Sequence, residues 1–477
     1  MILPIILLPC LVGVLAATRP ALSGVPVLPI LLVLIPIAML IMIRVSATVY
    51  IMLLISPFLW SHLRWYLEYT VVFSGIIIAC ALIWFLHTRG KREFGGGDHS
   101  SLKDSKILLF GLLFFGGFIA SFLWGQLQHI AGGMELYGAG RVRDILIMTD
   151  SVIICFVVYD YLVRTRNIKP ILLTVLVAFL LLTSIGFLQI IKFPGIGIIQ
   201  PYEVQLGNYL WDSNEYANYL LSTLAILGIA FLAFCKGFAT RALFIAAMLL
   251  GLVNFYFTYS FTQYLAFLVV LVIACLFFLR YAAPFVSFVA GLTIYWLPAS
   301  LREKVFVPQD PGVYSKFDRL LSFVTGQGAL EQLLPGRYPS YEFAVQQFVE
   351  KPFFGQTLGQ GRGLILEHGH HVDYFVHNSY LIILSELGLI GMALLALFLF
   401  FIFKTSLKNI GETKGRDLYY LQVGAFLAII ACLIYGLSYF SMWYNINLWI
   451  AVAITAAIHK ILRAERGSRP QTVEPGT

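Results

Sequence analysis

Along most of the chain, apolar runs long enough for a ~20-residue membrane span alternate with short polar stretches, a pattern that predicts helices rather than barrel strands. The runs centre near residues 2–17, 24–43, 47–60, 66–86, 107–127, 145–163, 171–191, 216–235, 242–259, 262–279, 283–298, 377–403, 418–440 and 446–462. One long interruption, residues 299–376, breaks the series. Inside it, Ser315 and Asp318 form a capping-box-like start, Phe317, Leu320, Leu321 and Val324 repeat at helical spacing, and Gly326 offers a stop. A second amphipathic pattern, Tyr341, Ala344, Val345 and Phe348, starts after Ser340 and ends before Pro352. Two short helices with apolar faces and no core of their own are expected to lie against the membrane, making this loop a lid. The fold expected is all-α: a polytopic helical membrane protein with about 12–14 transmembrane helices and one large extracytoplasmic loop.

Composition removes the alternative of a soluble protein. With 60% hydrophobic and 12% charged residues among 477 and a mean hydropathy of +0.86, the chain has too much apolar surface for one water-soluble core. Lysine and arginine collect at 87–106, 164–169, Lys236 and Arg241, 404–416 and 463–469. These alternate with loops poor in positive charge, which predicts both termini in the cytoplasm and residues 299–376 outside. The division expected is therefore N-terminal spans in 1–298, the extracytoplasmic loop in 299–376, C-terminal spans in 377–462 and a cytoplasmic tail in 463–477. The net charge of +8 is a topology signal and not a nucleic-acid footprint, since no basic patch carries interleaved aromatics on a soluble unit. The first segment lacks a charged n-region and reads as a retained helix. The six cysteines, Cys10, Cys80, Cys155, Cys235, Cys275 and Cys432, lie in or beside apolar segments without metal-type spacing and read as small core residues.

The chemistry-bearing residues gather between Arg337 and Gly391. His377 and Asn378 stand at the mouth of an apolar helix, where a polar group near hydrocarbon costs free energy that a leucine would not. The stretch reads Gly336-Arg337, an aromatic and small-residue helix, Lys351-Pro352-Phe353-Phe354-Gly355, further glycines, His377-Asn378-Ser379-Tyr380-Leu381 and Glu386-Leu387-Gly388-Leu389-Ile390-Gly391. In this it resembles the signature region of the O-antigen ligase and polymerase family. A weaker likeness joins Asn214-Glu215-Tyr216-Ala217 to the Asn-x-x-Ala opening of an earlier family span. The family pattern also carries Ser-Arg at the outer end of a middle span, whereas this chain reads Tyr259-Ser260-Phe261-Thr262-Gln263. That arginine is absent here.

The resemblance implies a membrane glycosyltransferase of the bacterial cytoplasmic (inner) membrane, working on the outer face. It would move glycans from undecaprenyl pyrophosphate to an acceptor hydroxyl. A pyrophosphate leaving group needs cations or oriented amides where charge develops, and arginine pairs with phosphate through a planar fork that stays protonated. The outward candidates are Arg141, Arg143, Arg319 and Arg337, with Arg337 singled out by the resemblance; Gly138-Ala139-Gly140 would let backbone N–H groups approach an anion at a helix start. The bland reading of these arginines is snorkelling to headgroups or pairing with Asp144 and Asp318.

His377 is the expected base, taking the acceptor's proton as an inverting-type attack on the anomeric carbon begins. Gly388, eleven residues on, falls on nearly the same helical face after about three turns; a bare patch there would admit another helix or the lipid. Asn378 could orient a sugar hydroxyl or cap the helix. Glu386, about two turns deeper, is a functional candidate as a carboxyl in an apolar helix or simply an interhelical hydrogen-bonding group. Tyr338, Tyr341, Tyr374 and Tyr380 could stack on sugars, although aromatics gather at lipid interfaces in any case.

The cluster Glu367, His368, His370, His371 and Asp373 could ligate a divalent ion if the loop folded back. Loop residues of this kind are more often solvated or sugar-binding, and the resembled family looks metal-independent, so no metal and no cofactor is expected. Polymerisation of lipid-linked repeat units into a surface polysaccharide is the leading reading, ligation of a finished glycan to an acceptor such as lipid A-core the second, and a transporter or flippase the third. Expected partners are the undecaprenyl-pyrophosphate-linked glycan, the bilayer, and a chain-length regulator and flippase of the same pathway; no nucleic acid is expected.

Overall fold

The computed structural model describes residues 45–59, 67–90, 105–131, 139–191, 213–234, 236–258, 260–278, 337–357, 376–439 and 442–467. Among the described residues there are twelve α-helices and no strand. They are α1 Ala47–Leu59, α2 Leu67–Gly90, α3 Lys106–Ala131, α4 Ala139–Thr165, α5 Lys169–Ile190 and α6 Ser213–Phe234. Then come α7 Phe238–Phe257, α8 Phe261–Phe278, α9 Tyr338–Glu350, α10 Ser379–Glu412, α11 Asp417–Gly436 and α12 Ile446–Gly467. The chain is an all-α integral membrane protein. Seven of these helices are long and apolar enough to cross a bilayer.

Eleven of the expected spans coincide with α1–α8 and α10–α12. The expected spans at 2–17, 24–43 and 283–298 lie outside the described residues, as does the expected helix over Ser315–Gly326. The span expected at 47–60 is real but short. At 13 residues, with Pro57 inside it, α1 falls below the ~20 residues a bilayer requires.

Long apolar side chains alone do not set the register of such helices, because lipid is as apolar as leucine; small residues and interhelical hydrogen bonds do. The closest pairing joins α6 to α11, where Gly424 brings the α11 backbone against the carbonyls of Ala225 and Ile226. Asn447, at the start of α12, donates to the Tyr219 carbonyl at 3.2 Å and to the Ser222 and Thr223 hydroxyls at 2.9 and 2.8 Å. On the other side, Asn254 of α7 donates to the Thr183 carbonyl at 3.0 Å, and its Oδ1 accepts from Tyr216 at 3.0 Å, which ties α5, α6 and α7 together. At the opposite end of α10, Asn409 donates to Gln422 Oε1 and to the Thr455 carbonyl, and Gln422 donates to the Thr455 hydroxyl. The described cysteines Cys80, Cys155, Cys275 and Cys432 are buried free thiols, in keeping with a packing role.

The longest helix is broken. Gly388 has φ 64° and ψ −160° inside α10, a backbone state that only glycine enters readily. The expectation that Gly388 shares a helical face with His377 therefore fails. His377 precedes the helix, which starts at Ser379 after the Asn378 cap, and the break resets the phase of everything beyond Gly388.

Candidate functional site

The break receives a strap. Pro352–Thr357, which follows α9 directly, runs into the gap in α10 and exchanges main-chain hydrogen bonds with both sides of it. Gln356 N–H donates to the Ser385 carbonyl at 2.8 Å and Thr357 N–H to that of Glu386 at 3.1 Å. Leu389 N–H donates to the Pro352 carbonyl at 2.8 Å and Ile390 N–H to that of Phe353 at 3.2 Å. The α10 amides and carbonyls that lose their helical partners at the break thus find new ones. The fit is reciprocal. A Cβ on Gly355, itself at φ 68°, would lie 2.3 Å from the Glu386 carbonyl carbon, and one on Gly388 would lie 2.5 Å from that of Phe353. Thr357 is held at φ 78°, an unfavourable state for a β-branched residue.

The close approach expected at Gly388 exists, but its partner is this strap and not another helix or lipid. Glu386 sits at the break, 8% exposed, and its carbonyl also accepts from the Ser121 hydroxyl of α3 at 3.4 Å. The strap holds the C-terminal end of α9 onto α10, so the position of Arg337, at the other end, follows from the break.

The expected lid helix begins three residues earlier than Ser340 predicts. Arg337 is its N-cap residue and Pro339 lies in the first turn, where a missing N–H costs nothing. Ser340 is inside the helix and donates to the Arg337 carbonyl at 2.8 Å. The face buried against α10 is Ser340, Ala344 and Gln347, a small and polar set rather than the apolar one expected.

Four segments meet at the mouth: the start of α9, the start of α10, the end of α11, and the 3₁₀ turn Met442–Tyr444. Tyr341, one turn into α9, donates its hydroxyl to the His377 carbonyl at 3.0 Å. Arg337 donates from Nη1 to the Ser438 carbonyl at 3.1 Å, and five N–H donors on a guanidinium leave capacity beyond that bond. The His377 ring stands 5.5 Å from the ring of Tyr439, which in turn stands 5.2 Å from that of Tyr435.

Asn378 is committed as a cap. Its Oδ1 accepts from the N–H groups of Tyr380 and Leu381 at 2.9 and 3.0 Å, and its Nδ2 donates to the Leu437 carbonyl at 3.1 Å. Ser379 donates to the Tyr439 carbonyl at 2.7 Å and Tyr380 to that of Leu433 at 2.9 Å. The carbonyls in and just past the last turn of α11 lack helical donors, so these side chains satisfy them and fix the two helix ends to each other.

Of the expected site residues, His377, Arg337 and Asn378 come together, and Glu386 lies about two turns down α10. Asn214 stands apart from them at the start of α6, accepting from the Ser260 hydroxyl at 2.6 Å. That bond links the Asn-x-x-Ala opening of α6 to the segment that lacks the expected arginine. Arg141 and Arg143 fall within the first turns of α4, which starts at Ala139; Gly138 lies outside the described residues. Arg319, Tyr374 and the Glu367–Asp373 cluster lie outside the described residues. Sequence reasoning missed Ser438 and Tyr439. A Ser-Tyr pair after a span is ordinary interfacial composition, and only the fold brings it against Arg337 and His377.

Residues 246–396 match the profile of a family described as O-antigen ligase. They form an O-antigen ligase family domain. The domain covers about a third of the chain, from within α7 to the middle of α10, and contains the strap, the break, Arg337 and His377, whereas the end of α11 and the 3₁₀ turn that complete the mouth lie beyond it. Members of this family are glycosyltransferase-like enzymes that act on polyprenyl-linked glycans in the membrane. No curated protein matches the chain.

Proposed function

We propose that the chain transfers glycan from a polyprenyl pyrophosphate to an acceptor hydroxyl at the outer surface of the bacterial inner membrane, and that it does so as a polymerase of lipid-linked repeat units. One observation carries the reading: through a single turn of α9, Tyr341 links the segment of Arg337 to that of His377, so a phosphate-pairing cation and a proton acceptor flank one mouth. In this reading the His377 imidazole takes the acceptor's proton. The acceptor oxygen forms the new bond to the anomeric carbon, and the bond from that carbon to the pyrophosphate oxygen breaks. The leaving pyrophosphate keeps the electron pair, and Arg337 offsets the charge as it develops.

Ligation of a finished glycan to a separate acceptor is the second reading, favoured by the description of the matched family. The chemistry at the mouth is the same in both; the acceptor differs.

The test is release of polyprenyl pyrophosphate by the purified protein in detergent, given a lipid-linked oligosaccharide. Wild type should release it and His377→Ala should not, with both proteins equally well folded. Release at the wild-type rate from His377→Ala would remove the proposed base, and no release from wild type would remove the transfer itself. In a deletion strain, single repeat units left on lipid support the polymerase, whereas long chains left on lipid support the ligase.

A further inference from the structure

At the end of α10 away from the break, the first residue of α3 leans across onto α10. The Lys106 ammonium lies 5.6 Å from the centre of the Phe401 ring. Phe401 in turn stacks on Phe110, one turn along α3, with centroids 4.8 Å apart and planes 13° from parallel. On α10 itself the Lys404 ammonium lies 5.6 Å over the ring of Phe400, which meets Phe401 edge-on at 5.3 Å. Each helix thus supplies a lysine and a phenylalanine four residues apart, the spacing that puts two side chains on one helix face. Three rings join the two cations into one patch.

The rings do not satisfy the lysines. A ring face attracts an ammonium only modestly at an exposed site, and the N–H donors of each lysine stay available. Both lysines are exposed, and neither forms an ion pair among the described residues. Neither helix offers a carboxylate: α3 contains no Asp or Glu, while α10 carries Glu386 at the break and Glu412, about two turns beyond Lys404 and paired with Arg466 at 3.2 Å. Lys106 also stands at the positive end of its own helix. Toward the membrane interior the surface is apolar and open, with Leu109 42% and Leu113 46% exposed on α3, and Leu397 42% and Phe400 55% on α10. Both helices are long and apolar enough to cross a bilayer, and they run antiparallel in contact, with Gly111 against Phe398 and Ser121 bonded to Glu386. Lys106 and Lys404 therefore mark one membrane surface.

We infer that Lys106 and Lys404 bind the headgroup phosphate of an anionic phospholipid at this surface, with its acyl chains along Leu109, Leu113, Leu397 and Phe400. Two cations without counter-charge, beside lipid-facing hydrocarbon at a contact between two spans, complement a lipid of net negative charge. A zwitterionic lipid brings its own cation and fits less well. Snorkelling to water explains a single lysine at such a border, but it does not call for two lysines gathered over one set of rings. The site is remote from Arg337 and His377 and stands independently of the transfer reading. It places a bound lipid at the foot of the helix whose other end carries the break.

The test titrates the full chain, purified in detergent and freed of lipid, with dioleoylphosphatidylglycerol or dioleoylphosphatidylcholine while its melting temperature is followed. A lipid that binds the native state raises that temperature by mass action. Phosphatidylglycerol should do so with a defined midpoint, and phosphatidylcholine should need at least about tenfold more. A lysine at an anionic lipid surface is worth about fivefold in affinity, so Lys106→Gln/Lys404→Gln should move the midpoint roughly thirtyfold and either single substitution about fivefold. The single variants carry the test if the pair does not fold. Lys106→Arg/Lys404→Arg keeps both charges and should stay near the wild-type midpoint. Lys169→Gln/Lys236→Gln removes the same charge from exposed positions on other elements and should leave the midpoint in place as well. Equal midpoints for the two lipids, no rise with phosphatidylglycerol, or the same shift in both glutamine pairs would make these lysines ordinary surface charge and overturn the proposal.

Discussion

Between α10, α11 and α12 the side chains of Asn409, Gln422 and Thr455 are wholly buried and spend their hydrogen bonds on one another, on the Thr455 carbonyl and on the His459 ring. At the His377 mouth the pattern is different. Arg337, Tyr341, Asn378, Ser379 and Tyr380 each donate to a main-chain carbonyl beside a helix end, and Arg337, His377 and Asn378 remain half-buried. The comparison separates two uses of polarity in one apolar protein. In the seam, side chain meets side chain and nothing is left for a ligand. At the mouth, orphan carbonyls supply the anchorage, and the charged and titratable groups keep an open side. Polarity at membrane depth is therefore weak testimony for chemistry unless the group is also accessible.

Three substitutions would break or sharpen that contrast. The largest effect is expected at the interlock, on which the mouth depends. Gly388→Val places a β-branched side chain at φ 64° and against the Phe353 backbone, which should cost more than about 3 kcal/mol. Folded yield by size exclusion and the melting temperature should both fall sharply, and a wild-type melting curve would mean that the strap does not seat in the break. Next is Arg337→Lys, which keeps the charge and loses the fork. Glycan elongation should drop severely while melting stays near wild type; normal turnover would assign Arg337 to surface charge or to the Ser438 anchor alone. The smallest effect is expected in the seam. Asn409→Leu should lower stability by about 1 kcal/mol and leave turnover unchanged when assayed well below the melting temperature, so a selective loss of activity there would erase the distinction between the two regions.

Much of the architecture was legible because the apolar periods that make a helix insert are local. The starts of α10, α11 and α12, the presence of a short helix ending before Pro352, and the position of His377 ahead of an apolar span were all readable from runs of residue type. Asn378 read as either a cap or a sugar ligand, and its two accepted N–H groups assign it to the cap. Gly388 was misread for a definite reason: periodicity assumes an unbroken helix, and a glycine gives no sign by itself of whether it makes room or breaks the phase. Ser438, Tyr439 and the Asn214–Ser260 pair were invisible because their meaning lies in a partner distant along the chain.

The sequence by itself determined that this is a bundle of membrane helices, since transfer into lipid depends on the composition and period of each segment, and it gathered the candidate polar residues between Arg337 and Gly391. Only the tertiary structure decided which of those polar residues stand together, and that α10 breaks at Gly388 to take the strap. A backbone can leave its helix inside an apolar layer only when another segment supplies the hydrogen bonds it gives up, and that supply is a property of the folded chain.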